Sequence, residues 1–284
     1  MSAGPVLKPG PVLKPGLLLE AGRAATLAVH GVAKRFPAGE GEVVALESVD
    51  LFAGAGEFVS LIGPSGCGKS TLFNVVAGLA RPSAGEVLIN GVDLDDRLGA
   101  SAYMPQHDAL LGWRRVLDNV VLPLELAGTG RKEARRQALP MLERFGLGEF
   151  AQAWPWQLSG GMRQRAAFLR TVIAGHPLML LDEPFGALDG ITRADLQEWL
   201  SKVWAEFGAT VLLVTHDITE AVFLSDRVYV MTPRPGRVAS VLEVDLPRPR
   251  RLGQREDEVF QALEARLRHQ LAMAMASSLE PAHS

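Results

Sequence analysis

The sequence predicts an α/β fold in which parallel strands alternate with helices. Residues 58–62 form an apolar run that leads through a glycine-rich loop into a helical stretch over residues 70–77, a strand–loop–helix unit. Residues 178–181 and 211–214 are apolar throughout instead of alternating, as expected for parallel strands covered on both faces. Both runs end in polar residues, so ligands are expected at the carboxyl ends of these strands.

Composition and charge exclude several classes of protein. With 284 residues, 48% of them hydrophobic, the chain can bury a sizeable core and is expected to be globular. Its formal net charge of -3 gives no general attraction to phosphate backbones, so no nucleic-acid partner is expected. Cys67 is the single cysteine, which excludes an intrachain disulfide and a thiol zinc site. No apolar run approaches the roughly 20 residues that span a bilayer, and no secretory signal is recognisable, so neither a membrane crossing nor export is expected.

The glycine-rich loop has the pattern of a phosphate-binding loop. Residues 63–70 read GPSGCGKS and fit G-x-x-x-x-G-K-[ST] between a strand and a helix, the context that gives the match meaning. Its backbone N–H groups are expected to wrap the β-phosphate of a nucleotide, while Lys69 reaches the β- and γ-phosphates and the Ser70 hydroxyl holds Mg²⁺. The alternative is a glycine loop without nucleotide. For Cys67, a small side chain packed under phosphate is a simpler interpretation than a redox switch or a nucleophile.

Two carboxylates follow the apolar run at residues 178–181. Asp182 is expected to hold Mg²⁺ through water, which leaves Glu183 free to polarise an attacking water as general base. Phosphoryl transfer otherwise needs chiefly positioning and charge neutralisation. The alternative is a carboxylate pair that caps the following turn. Together with the phosphate-binding loop, this pair predicts a P-loop NTPase core, a class that also includes kinases, GTPases and motors.

A second anion site is predicted at residues 158–165, which read LSGGMRQR. Ser159 offers a hydroxyl, Gly160 and Gly161 permit close approach, and the N-terminus of the following helix attracts negative charge. This segment resembles the signature of ABC ATPases and stands where that family has it, before Asp182. The resemblance implies a RecA-like core with an antiparallel β subdomain and a helical insertion. It also implies a head-to-tail dimer, with itself or a homologous subunit, in which each ATP lies between one phosphate loop and the other subunit's signature.

The remaining elements of that family are present in order. By resemblance, Gln106 senses Mg²⁺ and the γ-phosphate, Asp189 communicates across the dimer, and His216 holds the γ-phosphate and water beside the catalytic Glu183. A lone His216 would otherwise be read as structural. Phe36 matches the aromatic residue that stacks on adenine, with a core phenylalanine as the alternative. The predicted nucleotide-binding residues are Phe36, Gly63, Ser65, Gly66, Cys67, Gly68, Lys69, Ser70, Thr71 and Gln106, and the predicted metal ligands are Ser70, Gln106 and Asp182.

The segment after Gln106 indicates the branch of the family. Residues 108–120 look like the corresponding stretch of nitrate, sulfonate and taurine importers, and residues 184–200 and 228–237 look closer to the subunit serving uptake of a thiamine-pyrimidine precursor. The resemblance therefore implies a peripheral subunit on the cytoplasmic face of the inner membrane. Its partners would be transmembrane permease subunits and, indirectly, an extracytoplasmic solute-binding protein.

Large apolar residues in that segment are candidates for contact with the permease. Leu110, Leu111 and Trp113 stand beside the predicted nucleotide sensor, which suggests a groove for a permease helix. Packing inside the helical insertion is the alternative. ATP-driven closure of the dimer would then convert nucleotide binding into a rearrangement of the permease.

Two other classes share part of these motifs. An ABC ATPase of DNA repair or translation has every nucleotide motif, but such proteins carry a long coiled-coil insertion or two ATPase halves, which this sequence lacks. A stand-alone P-loop kinase would lack residues 159–165. The sequence therefore favours an ATPase that energises transport, with ATP and Mg²⁺ as its ligands.

The N-terminus is repetitive. Residues 4–9 read GPVLKP and recur as residues 10–15. Closely spaced prolines prevent both helix and central strand, so residues 1–26 are predicted as a flexible tail, with a docking role as the alternative.

One ATPase domain is predicted over residues 27–246. Within it, residues 106–175 form the helical insertion, since apolar residues recur at three and four spacing over residues 131–145 and 162–173. Residues 247–284 are predicted as a closing helix and tail.

Overall fold

The computed structural model describes residues 25–39, 41–93 and 98–276. The predicted N-terminal repeat lies outside the described residues, as does the end of the predicted C-terminal tail. The strands are β1 (Ala25–Ala38), β2 (Gly41–Gly54), β3 (Phe58–Ile62), β4 (Ala84–Ile89), β5 (Val92–Asp93), β6 (Ala102–Met104), β7 (Leu178–Asp182), β8 (Thr210–Thr215), β9 (Arg227–Met231) and β10 (Val238–Glu243). The α-helices are α1 (Lys69–Val76), α2 (Val116–Val120), α3 (Leu122–Leu126), α4 (Arg131–Arg144), α5 (Gly160–Val172), α6 (Gly190–Phe207), α7 (Ile218–Leu224) and α8 (Glu258–Ala276).

The central sheet has six strands in the order β10-β9-β3-β8-β7-β6. The strands β9, β3, β8, β7 and β6 pair in parallel, and β10 is an antiparallel edge strand. Alternate side chains of β3 reach opposite faces: Phe58 and Ile62 join the core cluster on one face, and Val59 and Leu61 join the cluster on the other. Because both faces are covered, every position of β3 except the buried Ser60 is apolar, which explains the largely apolar runs in the sequence.

A second sheet covers one face of the first. Its four strands run antiparallel in the order β2-β1-β4-β5. Val32 of β1 and Leu46 of β2 pack in the same cluster as Phe73 of α1 and Leu180 of β7. The predicted fold class, an α/β core with an antiparallel β subdomain and a helical insertion, is confirmed.

Helices α2 to α5 form a helical insertion between β6 and β7, with 3₁₀ turns at Gly148–Phe150 and Pro155–Gln157. Helix α5 begins at Gly160, two residues before the predicted start at residue 162. The reason is a cap: the Ser159 hydroxyl accepts a hydrogen bond from the Met162 N–H at 3.2 Å and satisfies an amide that would otherwise lack a partner. In the described ranges, no helix is long and apolar enough to cross a membrane.

The C-terminal segment is fastened to α7 by a buried arginine. Arg250 is almost completely buried, and its guanidinium donates hydrogen bonds to the carbonyls of Val222, Phe223 and Ser225 at 2.8, 3.2 and 2.7 Å. These carbonyls end α7, where a cation also complements the helix dipole. Burial, together with the neighbouring Arg248, lowers the pKa of Arg250 to about 9.

We expect the substitution Arg250→Met to lower the free energy of unfolding by at least about 3 kcal/mol, because it leaves several buried carbonyls without a donor. Urea unfolding followed by circular dichroism measures the change. Arg266→Ala, at an exposed position on α8, is the matched control and should be nearly neutral. Equal stability of the two variants would contradict the role assigned to Arg250.

Candidate nucleotide-binding site

Four loops meet at one edge of the central sheet. Residues 63–68 follow β3, Glu183 follows β7, His216 follows β8, and Gln106 lies just beyond β6. These four strands are neighbours and parallel, so their carboxyl ends point the same way. The motifs that the sequence separates widely are therefore brought together by the topology, at the edge where α/β sheets bind ligands.

The loop after β3 is shaped to enclose an anion. Gly68 precedes α1 with a φ of 103°, a conformation that favours glycine, and a Cβ there would lie 2.7 Å from Leu46 Cδ2. The Lys69 ammonium turns back across the loop and donates to the carbonyls of Gly63 at 2.7 Å and Pro64 at 3.0 Å. The loop thus combines a buried cation with the N-terminus of α1, both of which attract phosphate.

The β9–β10 hairpin packs against this loop and against β2. The Gly236 N–H donates to the Ala45 carbonyl at 3.0 Å, and the Glu47 N–H donates to the Gly236 carbonyl at 3.0 Å. A Cβ at Gly236 would lie only 2.0 Å from the Cys67 carbonyl oxygen. Cys67 itself is buried under the loop. The sequence gives no signal for this role of Gly236, since its contact with the phosphate loop joins distant parts of the chain.

Asp182 is held by a residue that sequence reasoning did not single out. The Tyr103 hydroxyl of β6 donates to Asp182 Oδ2 at 3.3 Å. Burial and the neighbouring Glu183 raise the pKa of Asp182, whereas the Tyr103 hydrogen bond and Lys69 oppose that rise. Burial, followed by the Asp182 charge, raises the pKa of Tyr103 to about 12, so the phenol stays a donor. An aromatic residue in a short strand gives no sequence signal for this role.

Glu183 lies at the centre of the candidate site. Its Oε2 is 3.2 Å from Gln106 Nε2 and 3.3 Å from His216 Nδ1. Its φ of 45° is unusual for a residue with a side chain, and the hydrogen bond from its N–H to the Val214 carbonyl at 2.9 Å holds it there. Three residues predicted to act together are therefore in contact.

The two glycines at the start of α5, Gly160 and Gly161, also have a packing reason. A Cβ at Gly161 would lie 2.9 Å from Thr192 Cγ2, and one at Gly160 would lie 3.3 Å from Leu188 Cδ2. Asp189 begins α6 by accepting hydrogen bonds from two backbone N–H groups of its first turn, and these bonds lower its pKa. The signature thus packs directly on the start of α6.

The signature helix is tied to the segment that follows Gln106. Arg163 Nε donates to Asp108 Oδ2 at 3.1 Å. Arg170 donates to the carbonyls of Asp108 and Ala109, each at 2.7 Å. Asp108 and α5 are therefore linked by both side-chain and backbone contacts, which the separate motifs in the sequence did not indicate.

The predicted adenine-stacking and permease-contacting residues lie in different environments. Phe36 is 42% exposed on β1, with Lys34 Nζ 5.1 Å from the centre of its ring. Leu110 packs against the core, the Leu111 N–H donates to Asn119 Oδ1 at 2.7 Å, and Trp113 is 77% exposed. The buried Asn119 braces this loop, and only Trp113 of the three apolar residues stands freely on the surface.

Comparisons with known proteins show which family this chain is similar to. The family model described as ABC transporter matches residues 46–186. The aliphatic sulfonates import ATP-binding protein SsuB 3 of Pseudomonas syringae pv. syringae is 42% identical over 259 residues, covering 91% of this chain and 90% of the relative. The taurine import ATP-binding protein TauB of Yersinia pestis bv. Antiqua is 44% identical over 201 residues, covering 71% of this chain and 79% of the relative.

Solved structures of ABC cassettes share the fold. The dimeric structure of MJ0796, described as a bacterial ABC transporter cassette, aligns with a TM-score of 0.68 at 35% identity and covers 78% of this chain and all of that one. A dimeric post-hydrolysis state of the same cassette, bound to ADP and phosphate, aligns with a TM-score of 0.67 at 35% identity and with the same coverage of both chains.

We expect Gly236→Ala to weaken nucleotide binding although residue 236 lies outside the nucleotide motifs. The added methyl group would collide with the Cys67 carbonyl and displace the phosphate loop or the hairpin. Titration with a fluorescent ATP analogue should show about tenfold weaker binding, equivalent to about 1.4 kcal/mol. Gly253→Ala, where a Cβ meets no atom within 4 Å, is the control. Unchanged affinity in Gly236→Ala would show that the hairpin does not support the loop.

Proposed function

This chain belongs to the ABC transporter family, and we propose from that premise that it energises the import of a small solute. As a member of the family it binds ATP and is an ATPase coupled to transmembrane transport. The import proposal is supported by the names of the relatives, and the contact of Glu183 with both Gln106 and His216 is the observation that carries the proposed site of hydrolysis. The relatives named for aliphatic sulfonates and taurine favour a sulfonate-like cargo, and the nitrate and pyrimidine-precursor cargoes remain predictions.

Glu183 is proposed as the general base for hydrolysis. Its carboxylate accepts the proton of the attacking water, while Gln106 and His216, both on the same oxygen, orient that water and the γ-phosphate. Lys69 and the N–H groups of the loop at residues 63–70 neutralise and position the phosphates. Phe36, which is partly exposed on β1, is proposed to stack on adenine.

The donor set around Asp182 suits Mg²⁺. A carboxylate, the Ser70 hydroxyl and the Gln106 amide are oxygen ligands of the kind that Mg²⁺ takes together with substrate phosphates. No group of three or more His, Cys, Asp or Glu in the described ranges could hold a metal ion alone, which fits an ion that arrives with the nucleotide. When bound, Mg²⁺ would neutralise phosphate charge. Asp182, with its pKa raised by burial, must remain ionised to hold it.

A dimer completes the proposed site. Ser159, Gly160 and Gly161 begin α5, and Asp189 begins α6 beside them, so one surface presents a helix N-terminus and two glycines to a partner. We propose that this surface binds the γ-phosphate of ATP held by the other subunit in a head-to-tail dimer, of two copies or with a homologous subunit. The dimeric state of the MJ0796 cassette supports this arrangement.

The permease is proposed to contact the segment after Gln106. Trp113 is exposed there, and Leu110 and Leu111 fix the loop that carries it. We propose that the subunit lies on the cytoplasmic face of the inner membrane, with the solute-binding protein reached only through the permease. The alternative of a soluble repair or translation ATPase is not favoured, because the relatives above are named for import.

We expect Glu183→Gln to retain ATP binding, to lose at least about a hundredfold in ATP turnover, and to form a dimer that persists in ATP. Phosphate release measures turnover, and light scattering measures mass in the same preparation. Glu86→Gln, an exposed substitution on β4, should behave like the unaltered chain. Near-normal turnover would move the base elsewhere, and a monomer at saturating ATP would contradict the composite site.

We expect Tyr103→Phe to raise the Mg²⁺ concentration needed for half-maximal ATPase activity, and more at pH 6 than at pH 8. The hydroxyl stabilises ionised Asp182, so its removal raises the pKa of Asp182 further, and more of the carboxyl is protonated at low pH. One hydrogen bond of about 1 kcal/mol corresponds to roughly a fivefold change. Tyr229→Phe, which changes the other tyrosine of the chain, is the control. Equal Mg²⁺ requirements at both pH values would contradict this role of Tyr103.

A further inference from the structure

A stacked pair of indoles stands immediately before the signature. The rings of Trp154 and Trp156 are parallel within 9°, with centroids 5.0 Å apart. The Arg115 guanidinium lies 3.8 Å from the centre of the Trp154 ring. Trp156 is 65% exposed, although tryptophan is among the most costly side chains to leave in water.

The local backbone fixes this stack. Residues 155–157 form a 3₁₀ turn in which the Gln157 side chain accepts from the Trp154 N–H at 2.8 Å, and Pro155 is buried beneath it. Arg115 is anchored in turn by a hydrogen bond to the Gln152 carbonyl at 2.8 Å. The exposed face of Trp156 is therefore held in one orientation, and ordering it costs a partner little conformational entropy.

The stack adjoins the segment that carries Trp113. The N–H groups of Val116 and Leu117 donate to the carbonyls of Ala153 and Ala151 at 2.9 and 3.0 Å, so the two segments run side by side. Trp113 stands two residues before Arg115. Residues Trp113, Arg115, Trp154 and Trp156, here called the indole surface, therefore belong to one connected part of the molecule.

The positive charge of Arg115 on the indole surface is not paired with a carboxylate of the described residues. The neighbouring Arg114 pairs with Glu125 at 2.8 Å, and Arg135 pairs with Asp118 at 2.6 Å. Within the described part of the chain, Arg115 has no carboxylate partner. A cation stacked on the Trp154 indole, with exposed indoles nearby in the same part of the chain, favours a partner segment that brings one carboxylate among apolar side chains.

We propose that the indole surface binds a cytoplasmic segment of the permease that presents apolar side chains and a carboxylate opposite Arg115. The inference rests on the proposed function and extends the permease contact from Trp113 to Arg115, Trp154 and Trp156. Only two residues separate Trp156 from Ser159, so a segment seated here would contact the signature end of α5 as well as the loop after Gln106. The permease would then hold both ends of the link formed by Arg163 and Asp108.

The test uses the full chain and the transmembrane subunits that co-purify with it, assembled in nanodiscs. We expect Trp156→Ala to bind at least about tenfold more weakly, because buried aromatic anchors dominate interfaces, and Trp156→Phe to recover most of the affinity. Arg115→Gln should weaken binding and flatten its salt dependence. Val259→Ala, at a position 60% exposed on α8, is the matched control and should bind normally.

The isolated subunits provide the second readout. Trp156→Ala should keep the basal ATPase rate and, combined with Glu183→Gln, the ATP-driven dimer. Equal permease binding by Trp156→Ala and Val259→Ala overturns the inference alone. Loss of the ATP-driven dimer in the Trp156 variant assigns the surface to a second copy of the chain and also overturns it. Failure of the unaltered chain to bind the permease overturns the proposed function as well.

Discussion

The parallel pairing of β3, β8, β7 and β6 is the constraint on which the rest of the structure depends. Hydrogen bonds between these strands fix their register, so the residues that follow them meet at one edge. The pairing also holds the φ angle of Glu183. The Glu183 N–H continues the ladder by donating to the Val214 carbonyl, and this hydrogen bond keeps Glu183 in a left-handed conformation. In that conformation the Glu183 side chain contacts Gln106 and His216, and such fixed placement is the kind of preorganisation that catalysis uses.

The supports of the site come from parts of the chain remote from its motifs. Gly236 approaches the phosphate loop from the β9–β10 hairpin, and Tyr103 holds Asp182 from an edge strand. Arg250 secures the end of α7, the helix that begins just after His216 and its neighbour Asp217. Both sheets and the C-terminal segment therefore stabilise the sheet edge that carries the candidate site.

The sequence predicted three strands of the central sheet and the motifs that follow them, because each depends on a local pattern. Continuous apolar runs marked β3, β7 and β8, and residues 63–70 carried their own spacing. It could not reveal Tyr103, Gly236 or Arg250, since their roles arise from contacts between distant segments. The start of α5 was placed two residues late because apolar periodicity does not register a cap, although Ser159 is a typical capping residue. The roles proposed for Phe36, Ser159 and Asp189 remain predictions.

The link between Asp108 and α5 would connect two nucleotide sites in the proposed dimer. Arg163 and Arg170 join the loop that follows Gln106 to α5 of the same subunit. In a head-to-tail dimer the signature at the start of α5 serves the opposite nucleotide. A displacement of one subunit's loop would thus move its own Gln106 and also the α5 N-terminus at the interface. In the proposed dimer, each subunit would therefore be connected to both nucleotide sites.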